Sequence, residues 1–217
     1  MNVLLDLDGT LTDSQAGILA CVRHALNGIG QPALADAFAI RHIGPPLHVT
    51  LAQLLGPAQQ HRIDEAIALY RERYAATGLF ENAVYEGIPE ALEALRAMGA
   101  RLYLATSKPY FYARQVLEHF SLGGYFAAAY GAELDGTHSD KAQLIAHILA
   151  RESLAPDTTV MVGDRAQDMR GALANGVRPV GALWGYGTRE ELAAAGAAAF
   201  VERPAHLARA LAPAAAS

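Results

Sequence analysis

Two acids, Asp6 and Asp8, stand two residues apart at the end of the apolar run Val3-Leu4-Leu5, and Gly9-Thr10 follows at once. A short apolar run bounded by a glycine turn predicts a buried strand. Alternation along a strand sends residues two apart to the same side. Both carboxylates then project together from the strand's carboxyl end, the edge at which open α/β sheets keep their sites. Neighbouring carboxylates are unfavourable to bury unless a cation or a shared proton relieves them. Asp before Gly is also ordinary turn chemistry, which accounts for one of the two acids but not for both.

Other polar residues recur where strands are expected to end. Thr106-Ser107-Lys108 follows the apolar segment from Arg101, Lys141 opens the helix after the third strand, and Gly163-Asp164-Arg165 closes the fourth, with Asp168 four residues beyond Asp164. In a parallel sheet these ends share one edge. Each residue also has a structural alternative. Thr106, Ser107 and Asp164 can cap the helices that follow them, and Asp168 can be ordinary surface. Lys141 can be a solvated helix residue, although the dipole at a helix start disfavours a cation. Taken together they suit phosphoryl transfer. Asp6 and Asp164 are hard oxygen ligands of the kind Mg²⁺ takes. Lys141 and the Thr106 hydroxyl suit a dispersed phosphoryl charge. One Asp can attack phosphorus to give an aspartyl-phosphate, and the second can protonate the leaving oxygen and later take a proton from water.

The elements that must position these residues follow from periodicity. Ser14 opens a helical pattern through Ile18, Leu19, Val22, Leu26 and Ile29, with Gly28 or Gly30 as its stop. Ile43-Gly44-Pro45-Pro46-Leu47 marks a stiff turn before a helix ending near Leu55. One long helix is expected from Pro57 to Thr77. No strand is expected between Ser14 and about Asn82, so this stretch reads as an all-helical insertion. After Tyr85 the pattern becomes strand and helix in alternation, with strands near 101–106, 127–130, 159–162, 179–183 and 199–201. That alternation predicts an α/β fold with a parallel sheet. The tail carries too few large apolar groups to pack.

Composition narrows the partners. The chain has 217 residues, 52% hydrophobic and 18% charged, with a formal net charge of −5. That is enough apolar material for a core, and the acidic balance argues against binding a nucleic acid polymer. Cys21 is the single cysteine, so no internal disulfide can form and a reducing compartment is expected. No basic leader and no stretch of about 18 apolar residues is present, so the expectation is a cytoplasmic protein that does not enter a membrane. The sequence leaves the oligomeric state open.

With these residues in hand the chain resembles the haloacid dehalogenase-like superfamily of aspartate-nucleophile phosphatases. Asp6-Leu7-Asp8-Gly9-Thr10 matches its first motif, Thr106 with Ser107 its second, Lys141 its third, and Gly163-Asp164 with Asp168 its fourth. The third-motif region departs from the common Lys-Pro-x-Pro pattern and reads Ser139-Asp140-Lys141-Ala142-Gln143. The resemblance implies a Rossmann-like core formed by residues 1–14 and 83–217 and an inserted helical cap over 15–82. It also implies roles: Asp6 as nucleophile, Asp8 as acid and base, and Mg²⁺ held by Asp6, the Asp8 carbonyl and Asp164. Asp168 would serve the metal shell or steady Lys141, and Thr106, Ser107 and Lys141 would bind phosphate. Asp8 favours phosphoester chemistry, since dehalogenases of this kind lack the second Asp. No lysine lies between Ser14 and Asn82, which argues against the Schiff-base chemistry of phosphonatases.

Within the superfamily the chain looks like the phosphoglycolate phosphatase-like group, and there like bacterial 5′-nucleotidase-like members. Ile43-Gly44-Pro45-Pro46-Leu47, Ala105-Thr106-Ser107-Lys108-Pro109, Val162-Gly163-Asp164-Arg165 and Gly185-Tyr186-Gly187 carry this likeness. The expected substrate is a small phosphorylated metabolite, first a nucleoside 5′-monophosphate and second 2-phosphoglycolate. A sugar phosphomutase on the same core and a non-catalytic binding module are the alternatives. Arg41, His42 and Lys108 are the candidates for contact with the leaving group. Trp184 either stacks on a base or packs, and Tyr70 with Tyr74 reads as packing. The histidines show no ligand spacing.

Overall fold

A computed structural model of the chain describes residues 1–32 and 43–212. Arg41, His42 and the last five residues lie outside that description.

The first apolar run forms β1 (Asn2–Leu5), which lies inside a six-stranded sheet. On one side it pairs with β4 (Arg101–Pro109), which pairs in turn with β5 (Ala128–Ala132). On the other it pairs with β6 (Thr159–Gly163), followed by β7 (Arg178–Ala182) and β8 (Ala199–Val201). Every one of these pairings is parallel. The six strands expected from alternation are therefore all present, in the order β5-β4-β1-β6-β7-β8. Helices cover both faces, as a parallel sheet requires, and the result is a Rossmann-like α/β core.

The pleat sorts the side chains. Val3, Leu5, Leu102, Leu104, Val160 and Val162 face one side, under α4 (Ile88–Ala97) and α5 (Tyr110–His119). Leu4, Tyr103, Ala105 and Met161 face the other, under α6 (Lys141–Glu152) and α7 (Ala166–Ala174). Two short helices, α8 (Arg189–Ala194) and α9 (Leu207–Leu211), complete the core. Register then sets the site: Leu5 pairs with Leu104 and with Val162. Asp6 therefore leaves the sheet level with Ala105-Thr106 and with Gly163-Asp164.

The insertion is closed by a feature the sequence did not announce. β2 (Thr12–Asp13) and β3 (Ala83–Val84) form a two-residue antiparallel ribbon, Thr12 opposite Val84 and Asp13 opposite Ala83. Two residues a strand is too short for alternation to be visible. Between β2 and β3 the described residues hold α1 (Gln15–Gly28), α2 (Leu47–Leu55) and α3 (Ile63–Arg73), with no strand among them. Ser14 sits at the N-cap of α1 but makes no side-chain cap bond. Its amide donates to the Tyr186 hydroxyl at 2.8 Å instead.

The single helix expected over 57–77 is broken. Pro57–Arg62 is a 3₁₀ segment with no buried residue, and α3 begins only at Ile63, where the apolar stripe starts. Helical geometry in a protein is held mainly by a packed face, and 57–62 has none. At the far end Tyr74–Gly78 widens into a π turn, with Leu79 N donating to Tyr74 O at 2.9 Å. Cys21, Val22, Leu26, Leu51, Tyr70 and Tyr74 continue the core cluster of the α4 and α5 face into the insertion. Among the described residues no helix is long and apolar enough to cross a membrane.

Candidate active site

The chain turns sharply after β1. Asp6 N donates to Val162 O at 3.0 Å, and Thr10, Leu11 and Thr12 all donate to Leu7 O. Gly9 adopts φ of +85°, the left-handed region open to glycine. A Cβ at that position would fall on the Asp164 carboxylate. The turn thereby brings the first and fourth strand ends into direct contact, and the Thr10 hydroxyl donates to Asp164 Oδ1 at 3.2 Å.

Three carboxylates are buried together. Asp6 is 5% exposed, and Asp164 and Asp168 are fully buried. One oxygen from each can be chosen so that all three lie within 4.8 Å of one another. Asp164 Oδ2 accepts from Tyr186 N at 2.8 Å, and Asp168 Oδ2 accepts from Arg165 N at 3.1 Å, within the cap of α7. Asp168 is thus neither surface nor idle. Lys141, the first residue of α6 and 3% exposed, places Nζ 3.0 Å from Asp6 Oδ1 and 2.8 Å from Asp168 Oδ1. Nζ also donates to Ala105 O at 2.8 Å. Those two acids explain a cation at a helix start. The capping of α6 falls to Asp140, whose carboxylate accepts from Gln143 N.

The electrostatics follow from this crowding. Burial pushes the Asp6 carboxyl from 3.8 up to about 6; Lys141 opposes the rise and Asp168 adds to it. Burial, then Asp168 and Asp6, push Asp164 well above the usual carboxylate range. Burial pulls Lys141 down, but Asp168 and Asp6 outweigh it and hold the ammonium above the usual lysine value. Lys141 pairs with Asp6 and Asp168 but not with Asp164, so three clustered carboxylates face one ammonium, an excess of negative charge that a divalent cation fits. With oxygen donors alone the set suits Mg²⁺ or Ca²⁺ rather than a thiophilic metal.

The second strand end carries the neutral and cationic groups. Thr106 is 1% exposed, and its hydroxyl accepts from Lys108 N at 3.2 Å. The Ser107 hydroxyl is buried without a hydrogen-bond partner. Neither residue caps α5, whose N-cap is Pro109. Lys108 turns inward: its Nζ lies 2.6 Å from Asp8 Oδ1 and 5.5 Å from the centre of the Tyr74 ring.

Asp6, Asp8, Thr106, Ser107 and Lys108 all line one cavity of about 270 Å³ between the sheet edge and the insertion. Ile18, Val22, Ile67, Tyr70 and Tyr74 supply its wall from the insertion, and Ile43 to Leu47, the stiff turn expected from sequence, is part of the lining. Tyr70 and Tyr74 do pack, as expected, with stacked rings 5.4 Å apart. They also line the cavity, which their spacing alone did not reveal. Trp184 does the reverse: its Nε1 donates to Thr10 O at 2.9 Å and it packs on the core without lining the cavity. Arg165 and Tyr186 stand in the stretches that carry the family likeness, but sequence reasoning gives neither a contact at the site. Arg165 pairs with Glu191 at 2.9 Å and donates to Ile43 O of the insertion. The Tyr186 hydroxyl donates to Asp13 at 3.0 Å. Glycine-flanked Tyr186 and the Arg after Asp164 were the available signals, but neither spacing says what it touches.

The arrangement of strands and acids agrees with a family comparison. The model for haloacid dehalogenase-like hydrolases matches residues 3–182. The chain belongs to the haloacid dehalogenase-like hydrolases. It stands among the phosphatases of that family. It is 48% identical over 196 residues to a 5′-nucleotidase of Pseudomonas aeruginosa, covering 89% of this chain and 87% of the relative. It is 31% identical to a phosphoglycolate phosphatase of Pseudomonas putida, over 85% and 70% of the two chains. The crystal structure of a predicted phosphatase from Clostridium acetobutylicum superposes with a TM-score of 0.92 at 38% identity, over 97% of both chains. A tyrosine-protein kinase PtkA of Mycobacterium tuberculosis is 44% identical over 85% of this chain, which spans 62% of that relative.

Proposed function

We propose that this haloacid dehalogenase-like phosphatase is a Mg²⁺-dependent phosphomonoesterase acting through an aspartyl-phosphate on Asp6, with nucleoside 5′-monophosphates as its first substrate class. The observation that carries the reading is that Asp6 and Asp8 line one cavity with Ser107 and Lys108, with Lys141 paired to Asp6. Residues 15–82 serve as the cap over that cavity.

Asp6, Asp164 and the Asp8 carbonyl would hold Mg²⁺, with Asp168 supporting them. Bound there, the ion would neutralise charge on the phosphoryl oxygens and the carboxylates. Asp6 attacks phosphorus and becomes the acyl phosphate while the ester oxygen leaves with a proton from Asp8. Asp8 then takes a proton from water, which attacks the aspartyl-phosphate and releases inorganic phosphate. Thr106, the unpartnered Ser107 hydroxyl and Lys141 hold the phosphoryl oxygens. Closure of the cap excludes bulk water from the intermediate.

Phosphoglycolate is the second reading, and the Lys108 ammonium beside Asp8 favours it, since a cation there suits a carboxylate. Against it stands the mostly apolar wall of the cavity, which suits a glycolate carboxylate poorly; its volume of about 270 Å³ lies just below the roughly 300–1,000 Å³ usual for small-molecule sites. The test is phosphate release by purified protein with Mg²⁺ on nucleoside 5′-monophosphates, 2-phosphoglycolate and glucose 1-phosphate, with Asp6→Asn as the control. Loss of all turnover in Asp6→Asn is expected. Appreciable residual turnover in that variant removes Asp6 as nucleophile, and conversion of glucose 1-phosphate to the 6-phosphate replaces hydrolysis by mutase chemistry.

A further inference from the structure

The cavity holds donors that no catalytic step uses. Lys108 reaches in from the end of β4 and touches Asp8 at 2.6 Å, so its ammonium stands one hydrogen bond from the position a departing ester oxygen must take. An ammonium has three protons to donate, and the Asp8 contact engages one. Tyr74 lines the same cavity from the insertion, and its hydroxyl is buried with no hydrogen-bond partner. Buried polar atoms are rarely left so. Burial and the nearby Asp8 carboxylate push the Tyr74 phenol well upward, which keeps it a neutral donor. Lys108 Nζ lies 5.5 Å from the centre of the Tyr74 ring, so the ammonium and the aromatic ring that carries this hydroxyl adjoin one another in the cavity wall.

Behind them the wall is aromatic and already fixed. Tyr70 and Tyr74 stack at 5.4 Å with 20° between planes. Tyr112, from α5 of the core, meets Tyr74 edge-on at 5.2 Å and 88°. Rings locked against one another give up little side-chain freedom when a ligand arrives, and such a wall accepts another ring.

We propose that Lys108 and the Tyr74 hydroxyl form a donor pair that holds an oxygen of the leaving group, while the Tyr70-Tyr74-Tyr112 wall seats a ring attached to it. The site then takes monophosphates of bulky, ring-bearing alcohols such as nucleosides in preference to those of two-carbon acids. This rests on the phosphomonoesterase reading and adds to it the residues that choose the substrate. One donor comes from the core and the other from the insertion, so the pair exists only with the insertion seated over the sheet edge.

The test compares Tyr74→Phe and Lys108→Met with the unaltered protein on adenosine 5′-monophosphate, 2-phosphoglycolate and methyl phosphate, with thermal unfolding to check that each variant is folded. Tyr74→Phe keeps the ring and removes the oxygen. It is expected to raise KM for adenosine 5′-monophosphate about 3–10-fold with a smaller change in kcat, the size of one neutral hydrogen bond. Lys108→Met is expected to lose about 10–100-fold in kcat/KM on the nucleotide, as for a bond to a charged group. On methyl phosphate, which has nothing to fill the wall, both losses should be clearly smaller. Equal losses on all three esters would reduce the pair to structural support for Asp8 and overturn the proposal. So would a preference of the unaltered protein for 2-phosphoglycolate. Hydrolysis of none of the three esters by the unaltered protein defeats the phosphomonoesterase reading itself, an outcome distinct from either of those.

Discussion

Replacing Lys141 by Met separates charge from shape at the centre of the site. The side chain is almost fully buried, with its ammonium 3.0 Å from Asp6 and 2.8 Å from Asp168. Met keeps the length and removes the charge, leaving two of three clustered carboxylates without their partner. Stripping one member from a buried ion pair costs about 3–5 kcal/mol. For a chain of this size each kcal/mol moves the unfolding temperature by about 2–4 °C, so a drop of roughly 6–20 °C is expected. The assay is thermal unfolding near neutral pH with a chelator present, repeated in millimolar Mg²⁺. The ion should restore part of the loss, because it supplies positive charge to the same carboxylates. Lys141→Arg, which keeps the charge, should unfold closer to the unaltered protein. A drop of less than about 2 °C in Lys141→Met with chelator present, smaller than 1 kcal/mol implies, would refute the idea that Lys141 neutralises the cluster.

Two further outcomes follow from the same geometry. Because burial raises the Asp6 carboxyl from 3.8 to about 6, its contribution to metal-free stability is complete below the unfolded value and is lost as pH rises through the folded one. The shift corresponds to about 3 kcal/mol. Mg²⁺ needs the ionised form, so the rise in unfolding temperature on adding Mg²⁺ should be large near neutral pH and shrink below about pH 6; a Mg²⁺ effect independent of pH would contradict this. Gly9→Ala forces a side chain onto the Asp164 carboxylate at a positive φ, so Mg²⁺ affinity, measured by calorimetry, should fall by at least tenfold, about 1.4 kcal/mol, and unchanged affinity would remove Asp164 from the metal site.

The legible parts of the molecule were those written in local pattern. The six core strands could be read because each is a short apolar run between helix signals, and a buried parallel strand has that signature. The acids, Thr106, Ser107 and Lys141 could be placed on one edge because parallel strands end together. The break in the 57–77 helix was not legible, since Pro57 suits a helix start as well as a 3₁₀ turn, and only the lack of a packing face over 57–62 decides between them. The β2–β3 ribbon was hidden because its two halves lie some seventy residues apart and two residues carry no period.

The same division runs through the site. Sequence alone determined which chemistry the chain can do: an acid pair at the end of β1, a hydroxyl, a lysine and a second acid pair, each fixed by residue type and by its place after a strand. Tertiary structure decided what these groups face. It turned Lys108 inward onto Asp8, made Tyr70 and Tyr74 a cavity wall as well as core, and took Trp184 out of the cavity to bond Thr10. The physical reason is one of range. Periodicity and turn chemistry act over a few residues and set strand ends, whereas the orientation of a long side chain depends on partners brought close only when the insertion packs on the sheet edge.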